Sequence, residues 1–192
     1  MKSSEFNHFL SEKRIRVFRL ADAARIIGKG RNYAALFLLR NSGIKNAVGG
    51  IYYTKDASEY EVASRILYPS YVSLLSALRF HNLTEQMPRI IYVLSHKRHR
   101  PLPSLNGFRV EFKRIKKEMM YGYGRVDDVF VASPEKAVID MLYLNEFVGY
   151  AEEAIELGKL DYNLLEDYAV RSGVKTLEKR VKKLIDQRPP LW

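Results

Sequence analysis

The chain has 192 residues, 47% of them hydrophobic, and carries 32 Lys/Arg against 22 Asp/Glu for a net charge of +10. That composition excludes a disordered chain, and the length suits one ordinary domain or two small ones with a proper core. There is no cysteine, which excludes a disulfide framework, a thiol nucleophile and cysteine-ligated zinc or iron-sulfur sites. No stretch is apolar for long enough to span a bilayer, and "MKSSEFNHFL" lacks the apolar core of a signal peptide. The expected location is therefore the cytoplasm, with no membrane partner.

The charge is unevenly placed. Residues 1–57 hold 11 Lys/Arg against 4 Asp/Glu, residues 58–125 hold 12 against 5, and residues 126–192 hold 9 against 13. A basic surface speeds encounter with a polyanion and makes binding salt-sensitive. A merely solvated basic surface has the same composition, so charge alone defines no DNA site.

In chain order, Phe6, Phe9 and Leu10 share one side of a first amphipathic helix, and "KRIRVF" (13–18) predicts a short strand. "RLADAARIIGKGRNYAALFLLRNSG" (19–43) follows as two helix-length stretches. The first sets Leu20, Ala23, Ala24 and Ile27 at helical spacing. Gly28 and Gly30 suit a tight turn, with Asn32 read as the N-cap of a second helix from Tyr33 to about Arg40. That helix is apolar all round, so it reads as buried. The pair is either an αα-hairpin or a DNA-reading helix-turn-helix.

"GIKNAVGGIYYT" (43–54) then reads as a hairpin about Gly49-Gly50. Helix, turn, helix, hairpin is the order of a winged helix, which favours DNA binding. Arg31, Asn32 and Tyr33 are expected at base edges, at the N-terminal end of the second helix. Arg25, Lys29, Lys45 and Asn46 are expected on phosphates.

"TKDASEYE" (54–61) reads as a linker, giving a winged-helix domain over 1–57 and a mixed helix-strand domain over 58–192 with a helical tail from about 149. In the second domain, helices are expected over 59–67 and 69–83, and strands at "RIIYVLS" (89–95), "FRVEFKRI" (108–115) and "VFVAS" (129–133). Ser133-Pro134-Glu135 opens a helix with a hydroxyl cap, a proline in the first turn and an early acid. In the tail, Asp161 caps a helix that Gly173 ends, Leu177, Val181, Leu184 and Ile185 form a further stripe, and "RPPLW" stops it.

Catalytic signals are sparse. His96 and His99 lie three apart in "SHKRHRP" with no carboxylate between them, so no metal site is expected. Glu111-Phe112-Lys113 imitates half of a metal-dependent nuclease site, which would also need an upstream acid such as Glu85. No phosphate loop or nucleophile elbow occurs, and no catalytic residue, cofactor or metal is assigned.

"YVSLLSALRFHNLTEQMPRIIYVLS", "GFRVEFKRI" and "VASPEKAVIDMLYL" together resemble the AbiEi antitoxins, transcriptional regulators of abortive-infection toxin-antitoxin systems of type IV. Ser73, Ser76, Ala77, Leu78, His81 and Leu83 match the first family motif, and Ser133, Pro134, Glu135, Lys136 and Asp140 match the last. "LEKRVKKLID" resembles the terminal helix. The resemblance implies a winged helix bound to double-stranded operator DNA, repression of its own operon, and a role in viral defence. It also implies a co-encoded nucleotidyltransferase-like toxin, countered without a stable complex. DNA-reading residues are not carried over from it. The motif residues read as a hydrogen-bond network tying helix to strand, ahead of a Ser-His-Asp catalytic set. The whole chain thus reads as an α+β regulator that is not an enzyme. The readings left beside it are a metal-dependent nuclease of a defence system and a protein-interaction module with a degenerate winged helix.

Overall fold

The computed structural model of the chain describes residues 1–86, 89–157 and 159–187. It is a mixed α+β protein whose chain divides into two compact units, Met1–Ile66 and Leu67–Trp192. "RPPLW" and the stop expected there lie outside the described residues.

The first unit runs α1 (Ser3–Glu12), β1 (Val17–Arg19), α2 (Leu20–Ile27), α3 (Arg31–Arg40), β2 (Ile44–Asn46), β3 (Ile51–Thr54) and α4 (Glu59–Ile66). The three strands form an antiparallel sheet in the order β1-β3-β2, with Phe18 opposite Tyr52 and Ile44 opposite Thr54. Phe6 and Leu10 of α1 meet Phe18, Ala23, Leu38 and Ile44 in one core, because each element presents one apolar stripe to it. Phe6 packs edge-on to Phe18 and Phe37, at 5.9 and 5.4 Å between ring centres.

Three sequence expectations change here. The cap of α3 is Gly30, and Asn32 lies within the helix, because the αL turn at Gly28 lets the chain re-enter helix two residues sooner. Nor is α3 buried all round. Only Ala34 and Leu38 are buried, since the small core covers one side of the helix. The unit also extends past residue 57 to include α4. Arg16, just before β1, pairs at 2.8 Å with Glu61, and Glu61 is almost fully buried. A carboxylate so enclosed needs its cation, so the polar stretch 54–61 is a connection within the unit.

The second unit continues with β4 (Tyr71–Val72), α5 (Leu74–Phe80), β5 (Ile90–Ser95), β6 (Leu102–Leu105), β7 (Phe108–Arg114), a 3₁₀ turn at Lys117–Met119, β8 (Tyr123–Val126) and β9 (Val129–Ala132). Four helices follow: α6 (Pro134–Leu144), α7 (Val148–Glu156), α8 (Tyr162–Arg171) and α9 (Lys175–Asp186). The six strands order as β6-β7-β5-β4-β9-β8, with β5 parallel to β7 and β4 parallel to β9.

The helix expected over 69–83 begins only at Leu74, because Tyr71 and Val72 pair with Leu94 and Val93 at the sheet's centre. An apolar run buried on every side carries no period to mark where strand ends and helix starts. The sheet has two more strands flanking the expected ones. β6 contains a proline and β8 a glycine, and both are edge strands, where neither residue breaks a central ladder. Asp127 and Asp128, both at positive φ, make the two-residue turn between β8 and β9.

Candidate functional site

In the first unit, α2 ends at Gly28 in the left-handed conformation (φ 71°), whose N–H donates to the Ala24 carbonyl at 3.0 Å. The Gly28-Lys29-Gly30 turn, with glycine at both ends, brings the start of α3 against the end of α2. Arg25, Lys29 and Arg31 line one open cleft there, floored by Ala21 and Ala24. Asp22 both closes the start of α2, accepting from the Arg19 N–H at 3.0 Å, and pairs with Arg25. Arg25 therefore enters the cleft with much of its charge already matched. Lys29 and Arg31 hold no such pair among the described residues.

The other base-edge candidates face elsewhere. At 100° per residue, Asn32, Tyr33, Leu36, Leu39 and Arg40 fall on one side of α3, opposite Ala34 and Leu38, and all five are exposed. The structure thus separates Arg31, in the cleft, from Asn32 and Tyr33, on the outward face. Lys45 and Asn46 are both exposed on β2, an edge strand of the hairpin closed by Gly49 and Gly50 at positive φ. Consecutive on a strand, they point to opposite faces of it.

Leu36, Leu39 and Arg40 escaped the sequence reading. The usable signal was the helical projection from Ala34 and Leu38. A second signal was the complete lack of Asp and Glu over residues 23–55, a stretch that holds six Lys/Arg. Asp22, just before this stretch, is engaged locally with Arg19 and Arg25, and the buried Glu61 pairs with Arg16 and Arg65.

In the second unit, the motif residues converge on the buried face of α6. Lys136 and Asp140, one turn apart and both wholly buried, form an ion pair. Ser73 Oγ donates to Asp140 Oδ2 at 2.8 Å and the Tyr71 hydroxyl donates to the same oxygen at 3.0 Å. Lys136 Nζ lies 4.5 Å from the Tyr121 ring centre, and Tyr121 in turn donates to the Tyr168 carbonyl at 2.7 Å.

Burial dominates the titration here. It pushes the Asp140 carboxyl up and the Lys136 ammonium down, each opposed by the other's charge. Burial also raises Tyr71 well above its ordinary value, and takes Tyr121 up to about 12.

The expected single network resolves into this cluster and separate fastenings. Ser76 Oγ accepts from the Tyr92 N–H and donates to the Ile90 carbonyl, tying α5 to β5. His81 Nε2 meets the Ala132 carbonyl at 2.8 Å, fastening α5 to β9. Ser133 Oγ accepts from the Lys136 N–H as the N-cap of α6, with Pro134 in the first turn. Glu135 accepts from the Asp161 N–H at 3.1 Å, ahead of α8. Ser73 and Asp140 are thus bonded directly to each other while His81 is engaged apart from them on Ala132, and Asp140 contacts Lys136 where a triad would need histidine.

The nuclease-like pair is likewise engaged. Glu111 pairs with Arg109 at 3.1 Å and Lys113 with Glu146 at 2.9 Å. Among the described residues, no three His, Asp or Glu side chains converge to hold a metal, and no helix is long and apolar enough to cross a membrane.

No family model matches the chain, and no curated protein matches it. Among solved structures it is similar to the Rv2827c protein from Mycobacterium tuberculosis, at 14% identity and a TM-score of 0.59. The match covers 99% of this chain and 82% of that one. Identity this low speaks for shared fold alone, and it supports the mixed α+β architecture over nearly the whole length.

Proposed function

We propose that the first unit is a winged helix and that the protein is a sequence-specific DNA-binding regulator. It represses its own operon as the antitoxin of a toxin-antitoxin pair. The observation that carries the DNA-binding reading is the cluster of cations at the α2-turn-α3 corner, within a stretch (23–55) that has no Asp or Glu. There Lys29 and Arg31 stand at the start of an exposed helix, in the element order α1-β1-α2-α3-β2-β3. In a winged helix, the second helix of the corner enters the major groove by its N-terminal end and the hairpin follows the backbone. Asn32 and Tyr33 then face base edges and Arg25, Lys29, Lys45 and Asn46 meet phosphates; Arg31, expected at a base edge, lines the cleft with Arg25 and Lys29 and is assigned to a phosphate with them.

The antitoxin role rests on the resemblance to the AbiEi antitoxins in the second unit. There the motif residues fasten α5 and α6 to the sheet. The toxin is a functional partner, a nucleotidyltransferase-like protein, with no stable complex required.

Fluorescence anisotropy of the full chain tests the DNA-binding reading. The probe is the duplex immediately upstream of its own reading frame, against a scrambled duplex, over a range of salt. Tighter binding to the native duplex by ~10³-fold is expected. Equal, steeply salt-dependent binding to both refutes the reading, because counterion release alone gives that result.

A further inference from the structure

The outward face of α3 is apolar at its centre. Tyr33, Leu36 and Leu39 are 51%, 55% and 82% exposed, while Ala34 and Leu38 supply the core contacts from the opposite side. Asn32 begins this face and Arg40 ends it. The surroundings are cationic, with Lys29 and Arg31 at the near end and no acid between residues 23 and 55. A narrow apolar stripe with cations at both ends, Lys29 and Arg31 before it and Arg40 after it, complements an anionic groove with apolar points on its floor. The major groove of DNA has that form, phosphates along its walls and, among the base edges, the C5-methyl of thymine as its apolar group.

Building on the DNA-binding reading above, we infer that Leu36, with Tyr33 beside it, reads thymine methyl groups, and that the operator is A·T at the base pairs under α3. Tyr33 and Leu36 are neighbours one turn apart, about 4.5 Å along the axis, so together they cover roughly two successive base pairs. Asn32 at the start of the row has the side chain that pairs with the N6 and N7 edge of adenine. Arg40 lies about 12 Å further along the helix, beyond the residues at the base edges, where it meets a phosphate.

The test begins by enriching sites from a random-sequence duplex library on the full-length protein. The enriched duplex is then remade with deoxyuridine in place of each thymine in turn, which removes only the methyl group. The dissociation constant is expected to weaken about fourfold at one or two adjacent positions and to hold elsewhere, the size of one methyl group leaving contact. Leu36→Ala is expected to bind thymine and uracil duplexes equally, with unchanged melting temperature and salt slope.

Tolerance of uracil at every position of a duplex still bound specifically overturns the inference and leaves the DNA-binding reading standing. Failure to enrich any sequence overturns both. An oligomer lost in Leu36→Ala, with affinity for both duplexes unchanged, assigns the stripe to a second copy of this chain and overturns the inference as well.

Discussion

Helix α3 leaves Tyr33, Leu36 and Leu39 in solvent and buries only Ala34 and Leu38. Helix α6, of similar length, buries eight of its eleven residues, Glu135, Lys136 and Asp140 among them. The neighbours account for the contrast. α6 packs against α5, α7, α8 and β9, so its charged side chains face protein on every side and survive by pairing with each other and with Tyr71 and Ser73. α3 packs against α2 and β2, with Phe37 against Phe6 of α1, and is covered on one side. Mean hydropathy is higher for α6 than for α3, so it ranks the two helices in the observed order without foretelling which side chains are enclosed. Leucines in water on α3 and a salt bridge in the interior of α6 are both departures from the usual partition, and each marks a place where contacts other than bulk burial set the sequence.

The largest expected effect breaks the α6 side. Asp140→Ala strands a buried ammonium and should cost about 3–5 kcal/mol in urea unfolding of the full chain. The joint change Lys136→Met with Asp140→Leu removes both charges and should recover most of that loss. Equal damage from the single and the double change would mean that the hydroxyls of Tyr71 and Ser73, and not the ion pair, set the cost.

On α3, Leu38→Ala should cost about 2–5 kcal/mol by opening a cavity among Phe6, Phe18 and Ile44. In the second unit, the Tyr168 ring beside Gly122 gives a third measure. Gly122 sits at φ 66°, and an added Cβ would lie 2.8 Å from the Tyr168 ring and 3.0 Å from Lys136 Cβ. Gly122→Ala should therefore cost about 1–3 kcal/mol by overpacking the wall of the Lys136 site.

The tyrosines around that site predict a pH dependence. Folding raises the Tyr121 hydroxyl from its ordinary 10.0 to about 12. The unfolded chain loses that proton first, so native stability is complete below pH 10 and falls as pH rises through about 12. Tyr121→Phe should flatten the fall, read as the urea midpoint against pH, although it also removes the hydrogen bond to the Tyr168 carbonyl.

The gentlest effects belong to the exposed side of α3. Arg31→Ala should reduce the salt slope of DNA binding by about one, the signature of one lost phosphate contact. Leu39→Ala, next to Leu38 in sequence, should leave stability within about 0.5 kcal/mol. A Leu39 change as costly as Leu38→Ala would erase the contrast between the two faces.

Much of the fold was legible where its causes are local. Ser133-Pro134-Glu135 announced α6, Asp161 and Gly173 bounded α8, and the alternation of Phe108, Val110 and Phe112 marked β7. The Gly49-Gly50 hairpin and the amphipathic α1 were legible for the same reason. The candidate site was legible in composition, as a basic segment with a tight turn, and much less so in geometry. Arg31 and Asn32 are adjacent in sequence, yet one lines the cleft beside α2 and the other faces outward with Leu36.

The amino-acid sequence by itself determined the helix caps, the turns and the periodic strands, because each depends on residues within one or two turns of chain. Tertiary structure decided which apolar helix stays half in water, where the apolar run after Pro69 changes from strand to helix, and which charges meet. Glu61 finds Arg16 across 45 residues and Asp140 finds Ser73 across 67. Side chains so far apart in the chain have no local signature of pairing, and only the packing of their elements brings them within reach.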